Sequence, residues 1–136
     1  MDVSRIEEYK VLIRRSHEFL TEAEEALRSN RYDLACFFAE QAVQLFLKAT
    51  LLKLVGDYPR THYVRVLISK LVEVLPEDRA RVIKNFVRDN RARLSELEDA
   101  YLMSRYTVKV YSRSDSRDMV DLAKEVMDLI RRVVSD

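Results

Sequence analysis

The stretch from Tyr32 to Val55, YDLACFFAEQAVQLFLKATLLKLV, decides the fold. Its apolar residues Leu34, Ala35, Phe37, Phe38, Ala42, Val43, Leu45, Phe46, Leu47, Leu51, Leu52 and Leu54 fall on nearly every side of a helix. A helix that is apolar all round belongs at the centre of a bundle, or touches both its own core and a partner. The second alternative points to a dimer or a heteromeric complex. The stop is well signalled: Gly56 stands where a left-handed residue is cheapest, and Pro59 follows to prevent continuation.

Upstream, Ile6, Tyr9, Ile13, Ser16, Leu20, Ala23 and Leu27 recur every three or four positions and predict an amphipathic helix from Val3 to Arg28, closed by Ser29-Asn30. Downstream, Thr61 is placed to cap a short helix through His62, Val64, Leu67, Ile68 and Leu71, which ends at Leu75-Pro76. Pro76-Glu77-Asp78 opens a long fourth helix carrying Ile83, Val87, Asn90, Leu94, Leu97 and Tyr101, with Asn90 as a register-fixing polar layer. From Arg105 to Ser114 the helical period fails. Tyr106, Val108 and Val110 alternate there with Thr107, Lys109 and Tyr111, the period of an extended loop. A last helix begins near Ser114 or Asp115, with Asp118 in its first turn, and repeats Val120, Ala123, Met127, Ile130 and Val134. The prediction is an all-α, four- to five-helix up-down bundle forming one domain over residues 1–136.

Composition agrees with that fold. With 48% hydrophobic and 35% charged residues, one Gly and two Pro, the chain is too apolar for disorder and too poor in turn residues for a β-sandwich. The lone Cys36 forms no internal bridge and suits a reducing, cytoplasmic setting. No apolar run suggests a membrane span of roughly 20 residues, and no signal-peptide core follows Met1. A net charge of +1 gives no global electrostatic case for nucleic acid. Heavy use of Arg, Glu and Lys with few Asn and Gln is the bias of thermophile proteins. Two distant histidines and one cysteine make no zinc pattern, and no Gly-rich phosphate loop is present, so neither metal nor cofactor is expected.

The segment Tyr32-Asp33-Leu34-Ala35-Cys36-Phe37-Phe38-Ala39-Glu40-Gln41-Ala42-Val43, followed by Leu47-Lys48-Ala49, resembles the second helix of HEPN domains. Pro59-Arg60-Thr61-His62 with Leu67 is similar to that family's Pro-x-Thr-His turn, and Tyr101 with Arg105-Tyr106 resembles its late Tyr-x-x-x-Arg-Tyr-Pro signature. The resemblance covers essentially the whole chain in order. It implies a helical bundle that commonly forms a homodimer and often pairs with a separately encoded minimal nucleotidyltransferase as toxin and antitoxin. Some members are ribonucleases using Arg-x(4–6)-His across a dimer interface, and others bind nucleotides or serve only as partners.

This chain departs from the ribonuclease pattern. Counting from Arg105, the histidine position falls on Val110, Tyr111 or Ser112, and the family's Pro after Arg-Tyr is Thr107. Metal-independent RNA cleavage needs a base working near neutral pH, which histidine supplies with a pKa of about 6.5, whereas tyrosine titrates near about 10. The sequence therefore assigns no catalytic residue. Arg105, Tyr106, Lys109, Tyr111 and Arg113 instead offer cations for phosphates and rings for bases, so nucleotide or RNA binding is expected there. The structural alternative is a loop whose tyrosines cover the bundle end while its arginines pair with Asp115 and Asp118. His62 is a further candidate for phosphate contact, set against a hydrogen-bonding role in its turn; His17 is read as a packed or rim residue. The run Arg79, Arg81, Lys84, Arg88, Arg91 and Arg93 reads first as a solvated surface spread over more than one face. The expectation is a partner subunit of a nucleotidyltransferase, with a degenerate HEPN ribonuclease toxin or a purely structural dimer as alternatives.

Overall fold

A computed structural model describes residues 2–106 and 110–135, with the side chains of 103–106 outside the described set. It contains α1 (Val3–Arg28), α2 (Tyr32–Val55), α3 (Val64–Val74), α4 (Glu77–Asp89), α5 (Arg91–Tyr106) and α6 (Arg113–Val134), and no strand among the described residues.

Most of the apolar surface of α2 is consumed within the chain, because α1, α3, α5 and α6 all pack on it, while Leu34, Leu54 and Val55 stay exposed. Leu47 and Leu51 are fully buried together with Leu67, Leu71, Leu94, Leu97, Met119 and Leu122 from the surrounding helices. Each such side chain contributes about 2 kcal/mol of burial free energy. The place of α2 at the centre of the bundle accounts for most of this pattern. By length and composition α2 also qualifies as a membrane span, contrary to the sequence reading, but 67% of its apolar window is buried inside the bundle.

The α1–α2 pair is close because small residues face each other. Ala23, Ala26, Ala35, Ala39 and Ala42 are buried, and the Ser16 hydroxyl donates to the Ala42 carbonyl at 2.8 Å. Asp2 caps α1 by accepting from the Arg5 amide at 2.9 Å. Gly56 adopts the left-handed φ of 80° that closes α2, and a Cβ there would stand 2.6 Å from Arg5 Nη1.

Three sequence expectations change. Thr61 does not cap α3; its hydroxyl accepts from the Tyr63 amide at 3.1 Å, and the helix begins only at Val64. Glu98 of α5 does that work from outside, accepting from the Arg65 amide at 2.8 Å. The long fourth helix is two helices divided at Asn90, where φ is −127°. The Asn90 side-chain amide donates to Phe86 O at 2.9 Å, an intrahelical bond that competes with the backbone ladder, while its oxygen accepts from Arg93 Nη1 at 2.8 Å. The polar layer therefore breaks the helix instead of setting its register. Finally, Arg105 and Tyr106 belong to α5, and α6 starts at Arg113 behind a capping box of Ser112 and Asp115. The period-two pattern therefore overlaps the end of α5, and its members Thr107, Val108 and Lys109 lie outside the described residues.

Candidate functional site

The helical period of α2 places Phe37, Glu40, Gln41, Gln44 and Lys48 along one polar seam. Glu40 is fully buried, and its two oxygens accept from Gln41 Nε2 and Gln44 Nε2, each at 2.8 Å. Lys48 Nζ continues the chain by donating to Gln44 Oε1 at 2.9 Å. Burial pushes the Glu40 carboxyl up to about 7, against the opposing pull of the two amides and of Lys48. The negative Glu98 nearby acts in the same direction as burial. Lys48 is itself pushed down, chiefly by burial, against the opposing pull of Glu40.

The segment 57–63 runs back along this seam. Tyr58 sits between Lys48 and Arg60, 5.8 and 4.4 Å from its ring centre, and its hydroxyl donates to Glu8 Oε2 at 2.9 Å. Further along, Phe37, Tyr101, His62 and Tyr63 form a column of rings with successive centroid distances of 6.5, 4.6 and 4.2 Å. The His62 and Tyr101 rings lie only 11° from parallel. His62 Nε2 is shielded from solvent and has no hydrogen-bond partner among the described residues. The column joins α2, α5 and the turn before α3. Beside it, Glu98 is held by three donors of Arg65, its amide and Nε at 2.8 Å and Nη2 at 3.2 Å.

Of the residues singled out in the sequence, His62 is thus built into the ring column. Arg105 stands one turn beyond Tyr101 on α5, so the helix backbone places it on the side that meets His62; its side chain, that of Tyr106, and Lys109 lie outside the described residues. Tyr111 is in the core, 3% exposed, and its amide donates to Asp33 Oδ1 at 2.9 Å. Burial raises its hydroxyl pKa well above the ordinary phenol value. A base could stack on this ring only after it left the core. Arg113 is exposed at the first turn of α6. Asp118, one of the two acids named as partners for this segment's arginines in the structural alternative, is held by Arg93 of α5 at 2.9 Å, and Arg93 also holds Glu125 at 2.7 Å. His17 is exposed on the other side of the bundle, edge-on to Phe46 at 6.3 Å.

The seam itself is missed in the sequence reading, where Glu40, Gln41 and Lys48 appear only as part of a motif and Gln44 is not singled out. A signal was present: three polar positions close together inside an otherwise apolar helix require partners for one another. Among the described residues, no group of three or more His, Cys, Asp or Glu is placed to hold a metal ion. The arrangement offers a buried proton-binding carboxyl, a cation-flanked tyrosine and a ring-clamped histidine.

Two solved structures share this architecture. The crystal structure of TT1696 from Thermus thermophilus superposes with a TM-score of 0.69 at 23% identity, covering 92% of this chain and 97% of that one. That of ST0689, an archaeal HEPN homologue, superposes with a TM-score of 0.64 at 21% identity over 92% and 97% of the two chains. At these identities the likeness is one of fold. No curated protein matches the chain. The HEPN domain family model matches residues 9–133, nearly the full length and including the seam, the ring column and the turn into α6. This chain belongs to the HEPN domain family.

Proposed function

We propose that the protein is a partner subunit of a nucleotidyltransferase, forms a homodimer, and contacts a nucleotide or RNA near the α5–α6 connection without cleaving it. The observation that supports this most is what occupies the place of the ribonuclease histidine. Val110, Tyr111 and Ser112 stand there, and the middle one is spent on packing and on anchoring the connection to Asp33. Ser112 is committed to the α6 capping box. With Tyr111 engaged in the core, the phosphate-binding role falls to the cations Arg105, Lys109 and Arg113, and the stacking role to Tyr106.

A second reading has its own observation. The i, i+4 relation of Tyr101 and Arg105 sets the Arg105 backbone one helical turn from the ring stacked on His62, and a rebuilt ribonuclease would need an arginine and a histidine at one corner. The ring column opposes it, because a base must reach its proton and His62 Nε2 is shut away from solvent.

Induced expression of the protein alone separates the two. The partner-subunit reading predicts unimpaired growth, intact cellular RNA, and no difference between the wild type and Arg105→Ala. Growth arrest with RNA degradation, relieved by Arg105→Ala or His62→Ala, would establish the nuclease instead.

A further inference from the structure

The helices α3 and α4 do not close completely on each other. They leave an open groove of about 570 Å³ whose floor is aliphatic: Ile68 and Val72 from α3, Val87 from α4. Its rim is cationic on both sides, with Arg65 on the α3 wall and Lys84, Arg88 and Arg91 on the opposite one. The last three stand at i, i+4 and i+7 across the bend at Asn90, so the basic run that the sequence suggests is spread over several faces puts three of its members on one. Among the described residues, no carboxylate lines the groove. Arg65 is engaged by Glu98 and Arg88 by Asp89, but among the described residues Lys84 and Arg91 have no ion-pair partner. All four cations are exposed.

Like charges one turn apart repel, and half-covered Val72 and Val87 leave apolar surface in water; an occupant that supplied carboxylates and aliphatic knobs would relieve both. We infer that this groove docks an acidic amphipathic helix of a partner protein. Such a helix would lay apolar residues at i, i+3 or i+4, and i+7 on the floor and set Asp or Glu against the rim. The 11-residue α3 wall gives it a track of two to three turns, about 16 Å. A nucleotide fits less well, because among the described residues the groove has no aromatic side chain on which a base could stack. The inference takes from the proposed function only that a protein partner exists, and not the partner's enzymatic class.

The test uses the full chain, isotopically labelled, and three probes: a helix-forming synthetic peptide with Leu at i, i+3 and i+7 flanked by Glu, a scrambled peptide of identical composition, and an oligouridylate RNA. The patterned peptide should shift the amides of Ile68, Val72 and Val87. Its affinity should fall with added salt and by about tenfold in the Lys84→Glu/Arg91→Glu double variant, while Lys84→Arg/Arg91→Lys keeps it. Both positions are exposed, so these variants should fold. Absence of groove shifts, equal shifts from the scrambled peptide, or shifts produced by the RNA in place of the peptide would each overturn the proposal. None of these results depends on whether a nucleotidyltransferase is found with the chain.

Discussion

Glu40 should make the stability of this protein depend on pH in a direction opposite to that of an ordinary paired carboxylate. Its folded pKa is raised from an ordinary 4.5 to about 7, chiefly because burial disfavours the charged form. A raised folded pKa means that the native state binds the proton more tightly than the unfolded chain does. The contribution to stability is therefore fully present below pH 4.5 and is lost as pH rises through about 7. At about 1.4 kcal/mol per pH unit, the full effect is about 3 kcal/mol. Glu40→Gln removes the titration but keeps the shape. It replaces one acceptor oxygen with an NH2 that meets an amide donor, a penalty of about 1–2 kcal/mol that does not vary with pH. Urea unfolding followed by far-ultraviolet circular dichroism, for both proteins between pH 4 and 8, isolates the effect, since groups that do not interact with Glu40 cancel in the difference. The wild type should be the more stable protein at pH 4 to 4.5, and its advantage should shrink or reverse by pH 8. A difference that stays flat, or that grows with pH, would refute the assignment of Glu40 as a buried, proton-binding carboxyl.

Three further outcomes follow from the packing. Arg93→Ala cuts the ties from α5 to Asn90, Asp118 and Glu125; because the side chain is 27% exposed, solvent screening limits the loss to about 1–2 kcal/mol, readable as a lower urea midpoint. Ser112→Ala removes the α6 capping box and should cost about 1 kcal/mol, with faster amide exchange confined to the first turn of α6. Gly56→Ala should cost about 1 kcal/mol or more from the positive φ and should displace the Arg5 side chain, detectable in thermal unfolding; a neutral result would show that α2 does not need its left-handed cap.

Helices bounded by strong chemical punctuation were legible in the sequence. Ser29-Asn30 and Gly56 mark the ends of α1 and α2, and Leu75-Pro76 that of α3, because each signal acts through its own backbone. The errors lie where a tertiary partner decides. Glu98 caps α3 from 33 residues away, so Thr61, the local candidate, is not used. Asn90 is equally compatible with a polar layer and a break, and only the bonds to Phe86 and Arg93 select the break. Tyr111 belongs to a run that alternates like an exposed strand, yet its ring packs in the core while Asp33 accepts from its amide. The family was readable from motif order. The buried seam was not, since the pairing of Glu40 with Gln41 and Gln44 depends on α2 being enclosed by its neighbours.

Affinity purification of the tagged protein from its native host, with identification of the co-eluting proteins, bears most directly on the proposal that it is a partner subunit. The proposed function predicts a small nucleotidyltransferase in stoichiometric amount. Recovery of the chain without such an enzyme, in a form that degrades added RNA, would contradict it.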